Sequence, residues 1–96
     1  MLGWSAVRLR WARSATKHRV TRNRSRYVIE HARVRFRVPG PDGLDDRLLY
    51  LGDHEDGVQL EVMAVELETG ELFVIHAMPL RHKYQSQLEE ARRWPE

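Results

Sequence analysis

The sequence contains no cysteine, and this absence removes several classes of protein at once. Without cysteine there is no disulfide framework, no thiolate nucleophile and no cysteine-ligated zinc site, so packing alone must hold the core together. The absence also favours a reducing, cytoplasmic compartment. Apolar stretches are only a few residues long, far below the roughly 18 to 20 residues of a membrane helix, so we expect no contact with a membrane.

Signature motifs of several enzyme classes are also missing. The sequence has no glycine-rich phosphate loop, no G-x-S-x-G, no H-E-x-x-H and no C-x-x-C, so dinucleotide binding, P-loop chemistry, esterase action and zinc-protease chemistry lose their main support. The histidines are scattered, and the acidic turn at residues 53–57 lacks the spacing of a calcium loop. The sequence thus predicts neither a metal site nor a cofactor.

The charge of the chain is distributed unevenly. The 96 residues are 42% hydrophobic and 31% charged, which suits one hydrophobic core, and the formal net charge is only +2. Residues 1–37 carry 11 lysines and arginines against one acid, a balance of +10, whereas residues 38–96 carry 5 against 13, a balance of −8. Such a chain either presents a basic surface to a polyanion or neutralises its basic half with its own acidic half.

Two prolines and two glycines at residues 39–43 predict a loop between a basic front half and a mostly β back half. Before this loop, Thr21 is suited to cap a helix that runs to about Ala32. Residues 33–38 then alternate strictly between arginine and apolar side chains, which predicts a half-buried strand with one cationic face. We expect residues 1–15 to form a basic leader, either disordered or a short helix, and residues 16–96 a single α+β domain.

Three further strands are predicted after the loop, over residues 47–52, 58–67 and 72–78. The last of them is apolar on both faces and should be the central strand of an antiparallel meander. From Leu80 the periodicity becomes helical, with one apolar stripe formed by Leu80, Tyr84, Leu88 and Ala91. We therefore expect an α+β fold, in which an antiparallel sheet of about four strands carries an N-terminal and a C-terminal helix.

The junction between the last predicted strand and the C-terminal helix concentrates groups that suit metal-free phosphodiester cleavage. Residues 76–84 hold two imidazoles, a guanidinium, an ammonium and a phenol. Imidazoles can take the proton from a ribose 2′-OH and give one to the leaving 5′-oxygen at neutral pH, and cations can stabilise the phosphoryl oxygens. The candidate catalytic residues are His76, Arg81, His82, Lys83 and Tyr84.

A structural interpretation of these residues stays open. His76 lies between apolar neighbours and is as consistent with a hydrogen-bonded structural histidine as with a proton shuttle. Tyr84 lies on the apolar stripe and suits the core, while its basic neighbours are also consistent with a solvated patch at a helix start. The candidate substrate-binding residues, for which a solvated basic surface is the alternative, are Lys17, His18, Arg22, Arg26, Arg33 and Arg35.

Several short motifs resemble a family of small ribonuclease toxins. Residues 17–21 read K-H-R-V-T and resemble the K-H-G-V-S/T start of the first conserved helix in BrnT-like toxins of the RelE ribonuclease superfamily. Residues 75–81 stand where that family has an I-S-A-R-like strand end, and residues 88–90 resemble the end of its E-R-x-x-Y-E-E helix. The resemblance covers residues 17–90.

The resemblance implies a RelE-like fold and a small bacterial endoribonuclease, an mRNA interferase that cleaves RNA without a metal and is neutralised by an antitoxin protein. The resemblance leaves a homo-oligomer open. The sequence departs from the family pattern, because Arg19 replaces a glycine, and His76 and Met78 replace the serine and arginine of the strand end. If this chain retains the family's ribonuclease activity, its catalytic residues must differ from those of the family and comprise His76, Arg81, His82 and Lys83. Otherwise the scaffold serves as a non-catalytic module that binds nucleic acid or a partner.

Overall fold

Residues 8–54 and 56–93, which the computed structural model describes, form five strands and two α-helices. The strands are β1 (Leu9–Trp11), β2 (Val34–Val38), β3 (Arg47–Asp53), β4 (Gln59–Glu66) and β5 (Leu72–Pro79). The helix α1 (Arg22–His31) lies between β1 and β2 in the chain, and α2 (Gln85–Arg93) follows β5. Short 3-10 helices cover Arg13–Thr16 and His82–Tyr84. The protein is therefore of the α+β class, as predicted.

The strands of this part of the chain join one mixed sheet in the order β1-β5-β4-β3-β2. Strands β2 to β5 pair antiparallel, whereas β1 pairs with β5 in parallel, with Leu9 opposite Leu72. The prediction of an antiparallel sheet of about four strands is thus only partly right, because the three residues of β1 are too few for alternation to mark a strand. The central strand of the five is β4, and β5, which was predicted to be central, lies between β1 and β4.

The predicted leader is described only from residue 8 onward. Its described residues hold β1 and most of the first 3-10 helix, while residues 1–7 lie outside the described part of the chain. Neither helix within residues 8–54 and 56–93 has the length and apolar character needed to cross a bilayer.

The helix α1 begins and ends where the sequence predicts. The hydroxyl of Thr21 accepts a hydrogen bond from the backbone N–H of Arg24 at 3.2 Å, which satisfies one of the free donors at the helix start. Ala32 is the C-terminal cap. The side of the helix that faces the sheet buries Ser25, Val28 and Ile29.

One face of the sheet packs against α1 and against Ala15 of the first 3-10 helix. The hydrophobic cluster on this face joins Val28 of α1 to Tyr50, Val62 and Val74 of three neighbouring strands. Arg35 on β2 pairs with Tyr50 across the strands and therefore lies on the same face. Because side chains alternate along a strand, the arginines of β2 all belong to this face of the sheet.

The opposite face of the sheet packs against α2. Leu88 of α2 is fully buried against Leu49 and Leu51 of β3, and Leu80 and Tyr84 pack against the same cluster. Pro79 ends β5, and the 3-10 helix at His82–Tyr84 delays the start of α2 to Gln85. Three residues of the predicted apolar stripe therefore face the sheet, although its first turn is not α-helical, whereas Ala91 lines a groove between α2 and β2.

Candidate functional site

A fully buried carboxylate lies on the α2 face of the sheet. Glu61 pairs with Leu51 across β4 and β3, which places it beside the cluster under α2, and none of its side chain is exposed. An isolated carboxylate in such a position would be strongly destabilising, so its partners decide its role. The sequence pattern does not single out Glu61, because its alternation with Leu60 and Val62 is also typical of a solvent-facing position.

Arg81 provides three hydrogen bonds to Glu61. Its backbone N–H donates to Oε1 at 2.8 Å, and its guanidinium donates to Oε2 through Nε at 2.9 Å and Nη2 at 2.7 Å. Nε2 of His76 lies 3.3 Å from the same Oε2. One carboxylate therefore joins β4, β5 and the connection to α2.

The hydrogen bonds to Glu61 also define the protonation of His76. Because an ionised carboxylate can only accept, Nε2 of His76 donates to it, and Nδ1 of the neutral ring is left without a proton. Burial lowers the pKa of His76 and the charge of Arg81 lowers it too, whereas Glu61 raises it; the net pKa lies below its ordinary value. His76 is thus neutral at pH 7 and carries an acceptor nitrogen.

Glu61 itself stays ionised. Burial raises the pKa of Glu61, but the hydrogen bonds and charge of Arg81 and the hydrogen bond of His76 outweigh burial, so the net pKa is lowered. The same hydrogen bonds raise the pKa of Arg81. The side chains of Arg81 and His76 are 38% and 23% exposed, so these two residues are partly open to solvent while the carboxylate is closed off.

A second imidazole reaches His76 from a distant part of the chain. The ring centroids of His18 and His76 lie 5.7 Å apart, with the rings inclined at 68°. His18 follows the first 3-10 helix, which is attached to β5 by a 2.6 Å hydrogen bond from the hydroxyl of Ser14 to the carbonyl of Ile75. The exposed His18 therefore belongs to the same surface as the predicted catalytic residues, although the sequence placed it only among the substrate-binding ones.

The turn that carries His18 has an unusual backbone. Arg19 adopts φ 65°, in the left-handed region that side chains other than glycine rarely occupy. The BrnT-like motif has a glycine at this position. The backbone conformation at residue 19 is therefore the one that the motif glycine would favour, although the residue here is arginine.

The remaining predicted catalytic residues differ in their surroundings. Tyr84 lies beside Arg81, whose guanidinium carbon is 5.4 Å from the ring centroid, but Tyr84 also packs into the cluster under α2. His82 is exposed, with Nδ1 3.1 Å from the amide oxygen of Gln85, and Lys83 is exposed with Nζ 5.0 Å from the Tyr84 ring. None of the described contacts of His82 and Lys83 joins either residue directly to the buried carboxylate.

The predicted substrate-binding residues fall into separate places. Lys17 is exposed and adjoins His18 in the chain. Arg22 and Arg26 lie over the indole of Trp11, with guanidinium carbons 5.2 and 5.6 Å from the ring centroid. These two arginines thus lie at the β1 edge of the sheet, on the face that packs against α1.

Arg33 and Arg35 lie elsewhere. Arg35 belongs to β2 and Arg33 directly precedes it, and β2 is separated from β5 by β3 and β4. The structure therefore does not bring these two arginines to His76. Some arginines of the basic front half also pair with acids of the back half, in the contacts Arg24–Asp56 at 2.7 Å, Arg10–Glu71 at 3.8 Å and Arg37–Glu66 at 3.9 Å.

The site therefore belongs to an α+β protein in which a mixed five-stranded sheet holds a Glu61–His76–Arg81 cluster beside a second histidine. Comparisons with protein-family models, curated proteins and solved structures found no match to this chain. The resemblance to BrnT-like toxins therefore has no support from these comparisons.

Proposed function

We propose that this protein is a metal-independent endoribonuclease with a RelE-like fold, the toxin of a bacterial toxin-antitoxin pair, and that it acts in the cytoplasm on RNA. The observation that carries the proposal is the contact between two imidazoles, those of His18 and His76, one of which is held by a buried carboxylate. Cleavage of RNA at a 2′-OH requires one group that accepts a proton and another that donates one. The paired histidines meet this requirement without a metal or a cofactor.

In the proposed reaction His76 is the base and His18 the acid. Nδ1 of neutral His76 takes the proton of the ribose 2′-OH, and the 2′-oxygen forms a bond to phosphorus. The bond from phosphorus to the 5′-oxygen breaks, and protonated His18 gives a proton to that oxygen. The products are a 2′,3′-cyclic phosphate and a 5′-hydroxyl, so protons and electrons balance without an oxidant or a further reactant.

Arg81 and Glu61 have supporting roles in this scheme. Arg81 uses Nε and Nη2 on Glu61, so in this scheme its Nη1 N–H groups, on a side chain that is 38% exposed, donate to a phosphoryl oxygen. Glu61 is a positioning residue, because it fixes the ring of His76 and its tautomer through Nε2. The left-handed backbone at Arg19 supports the family resemblance that suggests RNA as the substrate and an antitoxin protein as the partner.

An RNA cleavage assay in the presence of a metal chelator tests the proposal. We expect purified protein to cut a fluorescent single-stranded RNA, or an mRNA bound to ribosomes, and to leave 2′,3′-cyclic phosphate ends. The variants His76→Ala and His18→Ala should each lower the rate by about 100-fold or more. Replacement of His31 by alanine is the matched control, because His31 is exposed and its ring stacks on Tyr27 at 4.2 Å, away from this cluster.

Two results would contradict the activity. RNA that stays intact with high concentrations of the wild-type protein, with and without ribosomes, would exclude cleavage, and so would equal cleavage of a DNA of the same sequence, which lacks the 2′-OH. Induction of the chain in bacterial cells provides an independent measurement. Growth should stop with the wild-type chain and continue with the His76→Ala variant, and co-expression of the antitoxin should restore growth.

A non-catalytic binding module is the second candidate, and one observation favours it. Arg81 is already paired with Glu61, and Tyr84 packs against the core, so the cluster also suffices to attach α2 to the sheet. Such a module would show steeply salt-dependent binding to nucleic acid and no turnover, because contacts with phosphates release counterions. A flat titration against both RNA and DNA would instead indicate that the acidic half neutralises the basic half.

A further inference from the structure

The strand β2 forms an open edge of the sheet. Its residues pair with β3 on one side, and no other described strand pairs with its outer side. An edge strand of this kind presents free backbone N–H and C=O groups, which can bind an extended segment of another chain. The edge lies across the sheet from β5, so what binds there is independent of the ribonuclease activity proposed above.

Grooves flank β2 on both faces of the sheet. A groove of about 620 Å³ lies between β2 and α2, and Val34 and Ala91 belong to its lining. A second groove of about 320 Å³ lies beside Arg37, Leu48 and Glu66 on the other face. A strand that paired with β2 would therefore have room for its side chains beside α2, whereas the second groove extends from β2 toward β3 and β4.

The side chains of β2 define which residues such a strand would carry. Residues directly opposite each other on adjacent strands lie on the same face. Val34 and Phe36 are half-buried on the α2 face, whereas Arg35 and Arg37 are exposed on the α1 side. Arg33, directly before β2, is also exposed and belongs to the lining of the groove beside α2. An added strand should thus place apolar residues opposite the first group and acidic residues opposite the arginines.

We propose that the β2 edge is the docking site for an extended acidic segment of a protein partner, in which acidic and apolar residues alternate. A second copy of this chain fits poorly, because two β2 strands paired antiparallel would bring arginine opposite arginine. Arg37 already forms an ion pair with Glu66. This pair competes only weakly with an acidic partner, because its contact is 3.9 Å long and the two side chains are 61% and 56% exposed.

A titration of the full chain with synthetic peptides tests this docking site. The probe is a fluorescent peptide of alternating glutamate and valine, and one control peptide has a central proline, which removes a backbone donor and bends the strand. A second control replaces glutamate by lysine. Fluorescence anisotropy at low salt measures binding, and amide hydrogen exchange measures the protection of residues 34–38. We expect binding of the first peptide only, together with protection of β2.

Variants locate the site on the protein. The double variant Arg33→Gln/Arg35→Gln should weaken binding of the glutamate–valine peptide by about threefold to tenfold. The control Arg10→Gln removes a comparably exposed charge from β1, the other edge strand, and should leave the affinity unchanged. Circular dichroism confirms that both variants are folded.

Three outcomes would overturn the proposal. The first is the absence of an anisotropy change up to about 1 mM peptide, the upper end of measurable weak binding. The second is that the proline-containing peptide binds as tightly as the glutamate–valine peptide. This result would show that charge attraction alone, without strand pairing, explains the binding. The third is binding of a single-stranded RNA oligonucleotide that depends on Arg33 and Arg35 while the acidic peptide does not bind, which would assign the edge to nucleic acid instead.

Discussion

Two ion pairs of this protein have the same length and very different surroundings. Arg81–Glu61 and Arg24–Asp56 are both 2.7 Å long, but Glu61 has no exposed side-chain surface, whereas Arg24 and Asp56 are 39% and 37% exposed. Water and salt screen the second pair, so little free energy depends on it. The carboxylate of the first pair has lost its hydration and depends on its protein partners. The distance between the charges therefore does not tell what each pair contributes.

The largest effect should come from removing the partner of the buried charge. The variant Arg81→Ala leaves Glu61 buried with only a backbone N–H and His76 as donors. We expect the free energy of unfolding to fall by about 2–3 kcal/mol, somewhat below the usual cost of breaking a buried pair because water can partly replace the half-exposed guanidinium. Urea denaturation measures this change. A loss no larger than that of Arg24→Ala would contradict the contrast between the two pairs.

Acid should act on the buried pair in a defined pH range. Because the pKa of Glu61 is lowered in the folded protein, its contribution to stability is complete above the ordinary glutamate pKa of about 4.3 and is lost as pH falls through the lowered value. The lowered pKa of His76 adds a loss below about pH 6.5, since the unfolded chain binds that proton more tightly. Unfolding midpoints measured from pH 7 to pH 3 should therefore fall in two stages.

The variant Glu61→Gln separates these two stages. It should reduce the lower stage of the acid loss and retain the upper one, and the remaining loss at low pH is expected from Asp56, whose pKa is also lowered by its hydrogen bond from the backbone N–H of Val58. Unchanged loss below pH 4 in this variant would show that other carboxylates are responsible. Asp56→Asn is the exposed counterpart, and it should reduce the lower stage less than Glu61→Gln does and leave the upper stage in place.

The same variant should shift the titration of His76. Glu61 raises the pKa of His76 and Arg81 lowers it, so Glu61→Gln should lower this pKa further. An NMR titration of the imidazole measures the shift directly, independently of any activity. If the protein cleaves RNA as proposed, the acidic limb of kcat/KM should move to lower pH in parallel, because His76 is the base. A limb that stays in place while the NMR pKa moves would exclude His76 from this role.

A smaller gain in stability should come from the turn before α1. Arg19→Gly removes the cost of a left-handed backbone at a non-glycine residue, partly offset by the greater freedom of glycine in the unfolded chain. We expect a net stabilisation of about 0.5 kcal/mol in thermal or urea unfolding. Lys17→Gly is the matched control, because Lys17 has an ordinary φ of −61° and glycine there should destabilise.

The smallest effect is expected at the exposed pair. Arg24→Ala should change the unfolding midpoint very little, and added salt should reduce even that difference. The backbone N–H of Arg24 still donates to Thr21 in this variant, so the helix cap is retained. A large destabilisation would show that the exposed pair is less well screened than its surroundings indicate.

Elements with local signals were predictable from the sequence. Thr21 marks the start of α1, and the strict alternation of residues 33–38 predicts β2 with its arginines on one face, as found. The three antiparallel strands that follow also match their predicted positions closely. The strand β1 was not predictable, because its three residues are stabilised by pairing with β5 and carry no period of their own.

The site was predictable only in part, for the same reason. His76 and Arg81 lie close together in the chain at a strand end, so the sequence brings them into one candidate cluster. Glu61 joins that cluster from β4, and His18 joins it from the segment before α1. Because these contacts are between distant parts of the chain, no local sequence pattern predicts them. The apolar Met63 on the same face as Glu61 was the available signal that this face is covered.

The parallel pairing of β1 with β5 has a consequence for how the molecule is made. Leu9 pairs with Leu72, so the first and last strands of the described chain must meet, and such distant pairings close later than neighbouring hairpins because more chain entropy is lost. A polypeptide still being synthesised, with β5 not yet emerged from the ribosome, lacks both His76 and the surface on which the His18 segment docks. Under the proposed function, a partly synthesised copy is therefore harmless to the cell that makes it.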